Sequence, residues 1–433
     1  MSRLHAAGRG NDDEATAEPD GYGDRDGYGY GDRDDHRHSD RDDAVDLAIL
    51  GVGRIGRVHL ESARVTDGVR TVAAADAVAA NRDRAREAGV DAVYDDYRTL
   101  LSTESPDAVV VALPPSLHAP AVRAAADAGC DAFVEKPFAR SVSEGREMLA
   151  VADDAGIRLG VDHTIRYLPE VDRVAEALRE GRVGHVPFAS VSRVNCGPFA
   201  PPPPTERVAD WALDPEATGG GVLLDLGLHL FDVLEHLFGE LTVIAAETDR
   251  QLSLPFEDAA TVLLRAEESG TVVSMHCGGY QWEAAAEMNF RLRLEGVAGT
   301  VDSVDYRPKN LHAHAAKSVA GNVARAVGGG DAAPFAPTYY LRAHYRALAD
   351  FLDAVAADRD PPVGGERGVR TLELAEAAYA AAENEPGIGP IDRDGDDDHD
   401  GHRGRDDYPD RDGHHDDHSD RDAPARTADG GEP

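Results

Sequence analysis

The chain has little cysteine and no cysteine motif. Its 433 residues include only Cys130, Cys196 and Cys277, and none of them forms a CxxC pair. This excludes a disulfide-stapled fold, and scattered thiols are typical of a reducing compartment. The start of the sequence has no apolar h-region, so we expect no secretory signal and a cytoplasmic protein. Apolar runs such as residues 108–113 are far below the roughly 18–20 residues of a membrane span.

Positive charge is also scarce. There are 44 Lys and Arg residues against 81 Asp and Glu residues, for a net charge of −37, and the only lysines are Lys136, Lys309 and Lys317. Nucleic acid phosphates and anionic lipids repel such a chain, so we expect neither a nucleic acid nor a membrane partner. Abundant Asp with almost no Lys favours adaptation to the salty cytoplasm of a halophile, where ions screen self-repulsion. The alternative is a mesophilic protein with two acidic tails.

Both ends of the chain are of low complexity. Residues 1–43 and 391–433 repeat the strings YGDRD and HSDRD and carry net charges of −7 and −10, which leaves −20 for residues 44–390. Segments rich in Gly, Asp, Arg and His lack apolar surface, so we predict disordered tails. Weak metal capture by the tail histidines is a less favoured alternative. Because the middle is acidic by itself, the high-salt interpretation is preferred.

The middle of the chain divides into two patterns. Strands and helices alternate over residues 44–165, which predicts an α/β domain with a doubly wound parallel sheet. Residues 166–390 instead contain successive strands, which predicts an α+β domain with a mostly antiparallel sheet. Within it, the Gly/Ala-rich residues 307–337 are predicted to be a long connection. The five strands predicted for the first sheet are residues 46–50, 69–76, 107–113, 131–137 and 157–163.

A glycine motif, GVGRIG, follows the first strand and opens a helix. Gly51 permits a tight turn, Gly53 allows close approach of a pyrophosphate, and Gly56 allows close packing of helix and strand, while the helix N-terminus faces the phosphates. Asp76, at the end of the second strand, would bind a ribose 2′-OH and repel a 2′-phosphate, so NAD is favoured over NADP. A ligand-free glycine turn, or Asp76 as a simple surface acid, are the alternatives.

Two further motifs carry acid–base chemistry. Lys136 ends the fourth strand, where ligands of such sheets bind, and its presence in a lysine-poor chain favours a role as a donor or tunable acid. Asp225 and His229 are spaced i, i+4 on a predicted helix, so they share a face and form an oriented proton acceptor. Surface ion pairs are the alternatives. Metal ligation by Asp225 and His229 is disfavoured because zinc-type ligand sets are missing nearby, and we predict no metal site.

Weaker signals surround these motifs. His163 and Arg166 join the two predicted domains and either reach the cleft to bind substrate or are packed and paired. Pro114 and His118 belong to the run LPPSLH after the third strand, where a loop would pass over the nicotinamide half of a dinucleotide.

Together these residues resemble the Gfo/Idh/MocA oxidoreductase family, which includes glucose–fructose oxidoreductase and inositol 2-dehydrogenase. The likeness covers about residues 45–385 and rests on the glycine loop, Glu-Lys-Pro and Asp-x-Gly-x-His in that order. It implies a bound nicotinamide dinucleotide and hydride transfer with a secondary alcohol of a sugar, cyclitol or sugar derivative. It also implies that residues 44–165 form a Rossmann domain and that the α+β domain has a large open sheet. A homodimer or homotetramer that assembles through this open sheet is implied as well.

The resemblance assigns roles residue by residue. Lys136 and His229 match catalytic residues, and Asp225 matches a substrate-binding acid of the catalytic set. Family members often have T-P-N-x-x-H where this chain has LPPSLH, so Pro115 cannot supply the side chain of that asparagine. The residues expected to contact the cofactor are Gly51, Gly53, Arg54, Ile55, Gly56, Asp76, Pro114, His118, Glu135 and Lys136.

Two other functions are compatible with this pattern. One is an NAD-dependent, redox-neutral glycoside hydrolase on the same scaffold, which would return the hydride and accumulate no NADH. The other is a non-catalytic dinucleotide-binding sensor, which would need neither Lys136 nor His229. The joint presence of these two residues favours an enzyme.

Overall fold

The described part of the chain, in a computed structural model, comprises residues 44–195, 210–280, 289–327 and 341–384. It contains two six-stranded sheets. The first is parallel with strands in the order 3-2-1-4-5-6, and the second is mixed and mostly antiparallel. This confirms the predicted Rossmann sheet followed by an α+β fold. The predictions for the two tails lie outside the described residues.

The first sheet is built from short, mostly buried strands separated by helices. Because helices cover both faces, its strands are runs of Val, Ala, Leu and Ile rather than alternating patterns. The sequence predicts five of the six strands; the missed one, Ala92–Tyr94, is an edge strand too short to show a period. The elements are β1 (Val45–Leu50), α1 (Arg54–Ala63), β2 (Val69–Ala75), α2 (Ala79–Glu87), β3 (Ala92–Tyr94), α3 (Tyr97–Glu104), β4 (Ala108–Val111), α4 (His118–Ala128), β5 (Asp131–Val134), α5 (Val142–Ala155) and β6 (Leu159–Val161).

The second sheet has the order β12-β11-β7-β10-β9-β8, and β7 pairs with β10 in parallel while the other pairs are antiparallel. One face is buried, as shown by the alternating burial along β9 and β11. Its elements are α6 (Pro169–Arg179), β7 (Phe188–Val194), α7 (Pro215–Thr218), α8 (Leu228–Phe238), β8 (Leu241–Asp249), β9 (Ala259–Ala266), β10 (Val272–Gly278), β11 (Phe290–Gly296), β12 (Gly299–Asp302), α9 (Leu311–Val327), α10 (Leu341–Ala356) and α11 (Gly365–Asn384).

The predicted connection over residues 307–337 is wrong for most of its length, because α9 occupies Leu311–Val327. The segment was expected to be irregular on account of its Gly and Ala content. Alanine is the best helix former, however, and a single glycine inside the helix, Gly321, costs only about 1 kcal/mol. Residues 328–340 lie outside the described part.

Helix α8 is the apolar centre of the second half. The helical segment Pro215–Phe238 is long and apolar enough to cross a membrane, but 72% of its most apolar window is buried inside the protein. Helix α8 packs against α11, β7 and β8. Nine of the eleven residues of α8 are buried, so a position in the protein core accounts for its apolar composition.

The C-terminal helices return to the first sheet. The rings of Phe351 in α10 and Phe133 in β5 lie 5.2 Å apart. Gly160 in β6 makes room for this contact, since a Cβ at that position would lie 2.6 Å from Phe351 Cδ2. This packing places α10 beside the ends of β5 and β6.

Packing in the glycine loop leaves no space for a side chain at two of its glycines, whereas the third has free space around it. Gly51 has φ +93°, and a Cβ on it would lie 2.3 Å from the carbonyl oxygen of Ala112. A Cβ on Gly56 would lie 1.8 Å from the carbonyl oxygen of Gly51. A Cβ on Gly53 would meet no atom within 4 Å. The fold itself therefore needs Gly51 and Gly56, whereas Gly53 is not required by packing.

We expect Gly56→Ala to destabilise the protein by about 1–3 kcal/mol or more, because a backbone oxygen cannot move aside as a side chain can. Thermal unfolding in molar KCl measures the effect. Gly53→Ala is the matched control and should unfold within a degree or so of the wild type. Equal unfolding midpoints for Gly56→Ala and the wild type would contradict this account of the loop.

Candidate active site

The glycine loop and Asp76 form one hydrogen-bonded unit at the carboxyl edge of the first sheet. The Val52 N–H donates to Asp76 Oδ2 at 2.8 Å, and the Val78 N–H donates to Oδ1 at 2.7 Å. Helix α1 begins at Arg54 with no capping side chain and no acid in its first turn, where Ile55 also lies. Within the described residues no side chain caps this first turn, an arrangement that favours a phosphate at the helix N-terminus, and Asp76 lies at the end of β2 as the sequence predicts.

Lys136 and Asp225 meet across the two halves of the protein. Lys136 directly follows Glu135 at the end of β5, and its Nζ lies 2.5 Å from Asp225 Oδ1 and donates to the Asp225 carbonyl oxygen at 2.9 Å. The Asp225 side chain is half exposed and that of Lys136 is one-fifth exposed. The pair is thus accessible to a ligand, and the structure brings together two residues that are far apart in sequence.

Electrostatics in this region favour an ionised Asp225 and a neutral His229. Burial by itself would raise the pKa of Asp225, but the positive charge of Lys136, followed by those of Arg193 and Arg54, outweighs it and lowers that pKa. Burial and then the charges of Lys136 and Arg193 lower the pKa of His229 well below 6.5. His229 is therefore an uncharged base at neutral pH.

His229 itself is almost enclosed. Its residue exposure is 4%, and its Nδ1 has no hydrogen-bond partner among the described residues. The ring of His163 lies edge-on to it with centroids 5.9 Å apart. One ring nitrogen of the proposed base is thus not committed to a protein partner.

Asp225 and His229 do not lie on one regular α-helix, which corrects the predicted geometry. Asp225 lies in a π-helical turn, Leu223–Gly227, and His229 lies in α8, which continues it. A π turn widens the helix locally and is frequent at functional sites. The two side chains have different surroundings, since Asp225 is half exposed and His229 is buried.

The start of this helical segment is fixed by a carboxylate that the sequence analysis missed. Glu257 accepts hydrogen bonds from the Gly221 N–H at 3.1 and 3.2 Å, from the Leu223 N–H at 3.1 Å and from the Tyr379 hydroxyl at 2.6 Å. A carboxylate at a helix N-terminus satisfies free N–H groups and complements the helix dipole. Glu257 therefore holds the turn that carries Asp225.

Three of the predicted cofactor residues are placed around the Lys136 loop. His118 is buried, with Nδ1 3.0 Å from the Pro137 carbonyl oxygen and Nε2 2.8 Å from the Leu113 carbonyl oxygen. Glu135 Oε1 lies 2.7 Å from His59 Nε2. Both side chains therefore bond within the protein and support the loop. Their direct contact with a cofactor, and that of the half-buried Pro114, stay predictions.

His163 and Arg166 occupy buried positions behind the site. His163 is fully buried, its Nε2 lies 3.4 Å from Thr371 Oγ1, and burial lowers its pKa to about 4. Arg166 forms a buried ion pair with Asp232 of α8. The structure therefore gives both residues supporting positions, and their contact with substrate stays a prediction.

Sequence reasoning missed a second group of polar residues that lies beneath Lys136. His59, Asp162 and His344 gather around Glu135 in the interior. Their sequence signals were weak, because each stands alone in its segment and the group exists only through tertiary packing. Of these residues, only Asp162 could have been suggested by its place in the sequence, because it lies next to His163 at the end of a predicted strand.

Known proteins match the whole arrangement. Residues 45–163 match the oxidoreductase family with an NAD-binding Rossmann fold, and residues 171–302 match the GFO/IDH/MocA C-terminal domain. D-apiose dehydrogenase of Paraburkholderia graminis is 31% identical over 349 residues, covering 77% of this chain and 87% of that protein. Inositol 2-dehydrogenase of Rhizobium meliloti is 27% identical, covering 77% and 96%.

A solved structure from another organism has a similar fold. The crystal structure of the WlbA dehydrogenase from Bordetella pertussis, in complex with NADH and UDP-GlcNAcA, aligns with a TM-score of 0.64 at 22% identity and covers 78% of this chain and 96% of that one. The predicted NAD-binding oxidoreductase is thereby confirmed. The chain belongs to the Gfo/Idh/MocA family and is an NAD(P)-dependent dehydrogenase with a Rossmann domain that binds NAD.

Proposed function

We propose that this enzyme oxidises a secondary alcohol of a sugar, cyclitol or sugar derivative and transfers the hydride to NAD⁺. The observation that carries the proposal is the accessible Lys136–Asp225 pair beside the buried, uncharged His229, at the carboxyl edge of the NAD-binding sheet. The relatives are named for D-apiose and inositol, and one solved relative holds UDP-GlcNAcA. These names support a polyhydroxylated substrate.

His229 is the proposed general base. A neutral imidazole can take the proton of the substrate hydroxyl while the hydride leaves the carbon that bears this hydroxyl. NAD⁺ supplies the hydride acceptor. The low pKa of His229 keeps the imidazole unprotonated at neutral pH. Its burial also keeps bulk water from competing for the proton.

Lys136 is the proposed donor to the reacting oxygen. Its Nζ carries three N–H groups, and two of its contacts are to Asp225. The ammonium can therefore donate to the substrate oxygen and stabilise the negative charge that develops as the proton leaves. Asp225 orients the lysine and binds a second substrate hydroxyl. His163 and Arg166, from their buried positions, would shape the substrate pocket indirectly.

We further propose the setting in which the enzyme works. The excess of 81 acidic over 44 basic residues supports a halophilic enzyme of the cytoplasm. The second sheet has one buried face, and its more exposed face is the surface through which we expect assembly into a homodimer or homotetramer. The same negative charge argues against nucleic acid and membrane partners.

The first test is an activity screen in molar KCl. Purified protein is mixed with NAD⁺ and with sugars, inositols, sugar acids or nucleotide sugars, and NADH absorbance is followed. We expect NADH with one substrate class. Binding of NAD⁺ without any NADH would overturn the dehydrogenase proposal, and release of free sugar from a glycoside would then indicate redox-neutral hydrolysis.

His229→Ala should lower turnover by about 10²–10⁴-fold, because the general base is lost. NAD⁺ affinity, measured by calorimetry, should stay at the wild-type value. His236→Ala is the matched control, since this exposed histidine lies on the same helix.

In the wild type, kcat/KM should stay level from pH 8 down to 6.5 and decline only below that, because the pKa of His229 is lowered. An inflection at or above pH 6.5, or full activity of His229→Ala, would remove His229 as the base.

The enzyme should prefer NAD⁺ to NADP⁺ by about tenfold or more, since repulsion between the Asp76 carboxylate and a 2′-phosphate is of order 1–4 kcal/mol. Asp76→Ser should reduce this preference, because it should weaken the binding of NAD⁺ and strengthen the binding of NADP⁺. Asp95→Ser, at an exposed acid after β3, is the control and should leave the ratio unchanged. Equal kcat/KM values for both cofactors in the wild type would contradict the role given to Asp76.

A further inference from the structure

Three buried side chains and one partly exposed side chain converge beneath the Lys136 loop. His59 comes from α1, Glu135 from the end of β5, Asp162 from the end of β6 and His344 from α10. Each offers one ligand atom, and all four atoms lie within 4.8 Å of one another. No step of the proposed reaction uses this group, which we call the buried His/carboxylate cluster.

Three donor separations in this cluster are close to those around a small tetrahedral cation. His344 Nδ1 lies 3.1 Å and His59 Nε2 lies 3.5 Å from Asp162 Oδ2. With metal–ligand bonds of about 2.0–2.2 Å, the donors of a tetrahedral zinc site are about 3.3 Å apart. The His59–Glu135 separation, 2.7 Å, is a hydrogen-bond length that a cation would open by a fraction of an ångström. The two imidazole rings lie at 82° with centroids 6.0 Å apart.

The cluster also lacks a fixed positive charge. Asp162 is fully buried and Glu135 is 6% exposed. In the described part of the chain, the ion-pair partners of both carboxylates are the imidazoles of His59 and His344, and no Arg or Lys pairs with either. Asp162 Oδ1 is buried and without a hydrogen-bond partner within the described residues. Buried carboxylates need a counter-charge and partners for their oxygens, and a cation would supply both.

We propose that the buried His/carboxylate cluster binds one divalent cation of the zinc class. Two imidazole nitrogens and two carboxylate oxygens form a closed four-ligand set of the kind zinc accepts, whereas Ca²⁺ and Mg²⁺ need about six oxygen ligands. His344 is about one-fifth exposed and offers the entry path. The cation would tie α10 to the strand ends that present Lys136. The proposal does not depend on the proposed dehydrogenase activity.

A proton is the competing occupant of this site. Without a cation, the two carboxylates outweigh burial and raise the pKa of His59 to about 10, so that an imidazolium balances part of their charge. Such an imidazolium leaves its buried Nδ1–H without a partner in the described structure. If His59 instead binds a metal as a neutral imidazole, the same N–H still has no partner there, but it carries less positive charge than the N–H of an imidazolium.

The test compares metal binding by the full-length wild type and His344→Gln. Both proteins are stripped with EDTA, loaded with Co²⁺ or Zn²⁺, and passed over a column with a weak chelator. We expect about one cation per chain more in the wild type, intense visible absorption of tetrahedral Co²⁺ in the wild type only, and an unfolding midpoint raised by Zn²⁺ in the wild type only. The His-rich tails are common to both proteins and cancel in the difference.

His312→Gln is the matched control, because this exposed histidine lies on α9 outside the cluster. It should retain the cation. Asp162→Asn keeps the side-chain shape and is the second variant should His344→Gln fail to fold. Equal metal content in the wild type and the folded variant, or no tetrahedral Co²⁺ spectrum, would overturn the proposal and leave a proton in the cluster. None of these readouts requires turnover, so a failure of the dehydrogenase proposal would be seen separately.

Discussion

The contact between Lys136 and Asp225 is the constraint on which the site depends. Lys136 belongs to the end of the Rossmann sheet, whereas Asp225 lies in the π turn that precedes α8 in the second half. Their ion pair, with 2.5 Å between Nζ and Oδ1, holds the segment that bears Asp225 against the end of the NAD-binding sheet. Burial lowers the pKa of His229 most, and the charge of Lys136 lowers it further, so the residue that holds Asp225 also contributes to the protonation state of the proposed base.

The supporting structure works mainly through backbone hydrogen bonds. Glu257 satisfies the N–H groups at the start of the segment that bears Asp225 and is itself held by Tyr379. His118 lies between the carbonyl oxygen of Leu113, which follows β4, and that of Pro137, which follows Lys136. Buried polar groups with fixed partners hold a site rigidly, which is what hydride and proton transfer between aligned groups require.

The local electrostatics oppose those of the whole molecule. The chain carries a net charge of −37, yet the site has the positive charges of Lys136, Arg193 and Arg54 acting on Asp225. A positive centre inside an acidic protein attracts the negative charge that develops on a substrate oxygen.

The sequence by itself determined the class of fold and the main motifs. The alternation of strands and helices, the glycine loop with Asp76, and the order of the Lys136 and Asp225–His229 motifs all depend on local spacing, which a sequence displays directly. Helix α9 was missed because alanine-rich composition has no period of its own to separate it from a loop. Only the tertiary structure decided the π turn, the Glu257 contact and the buried His/carboxylate cluster. These arise from side chains far apart in the sequence, and their proximity is set by how helices pack on the sheets rather than by any local pattern.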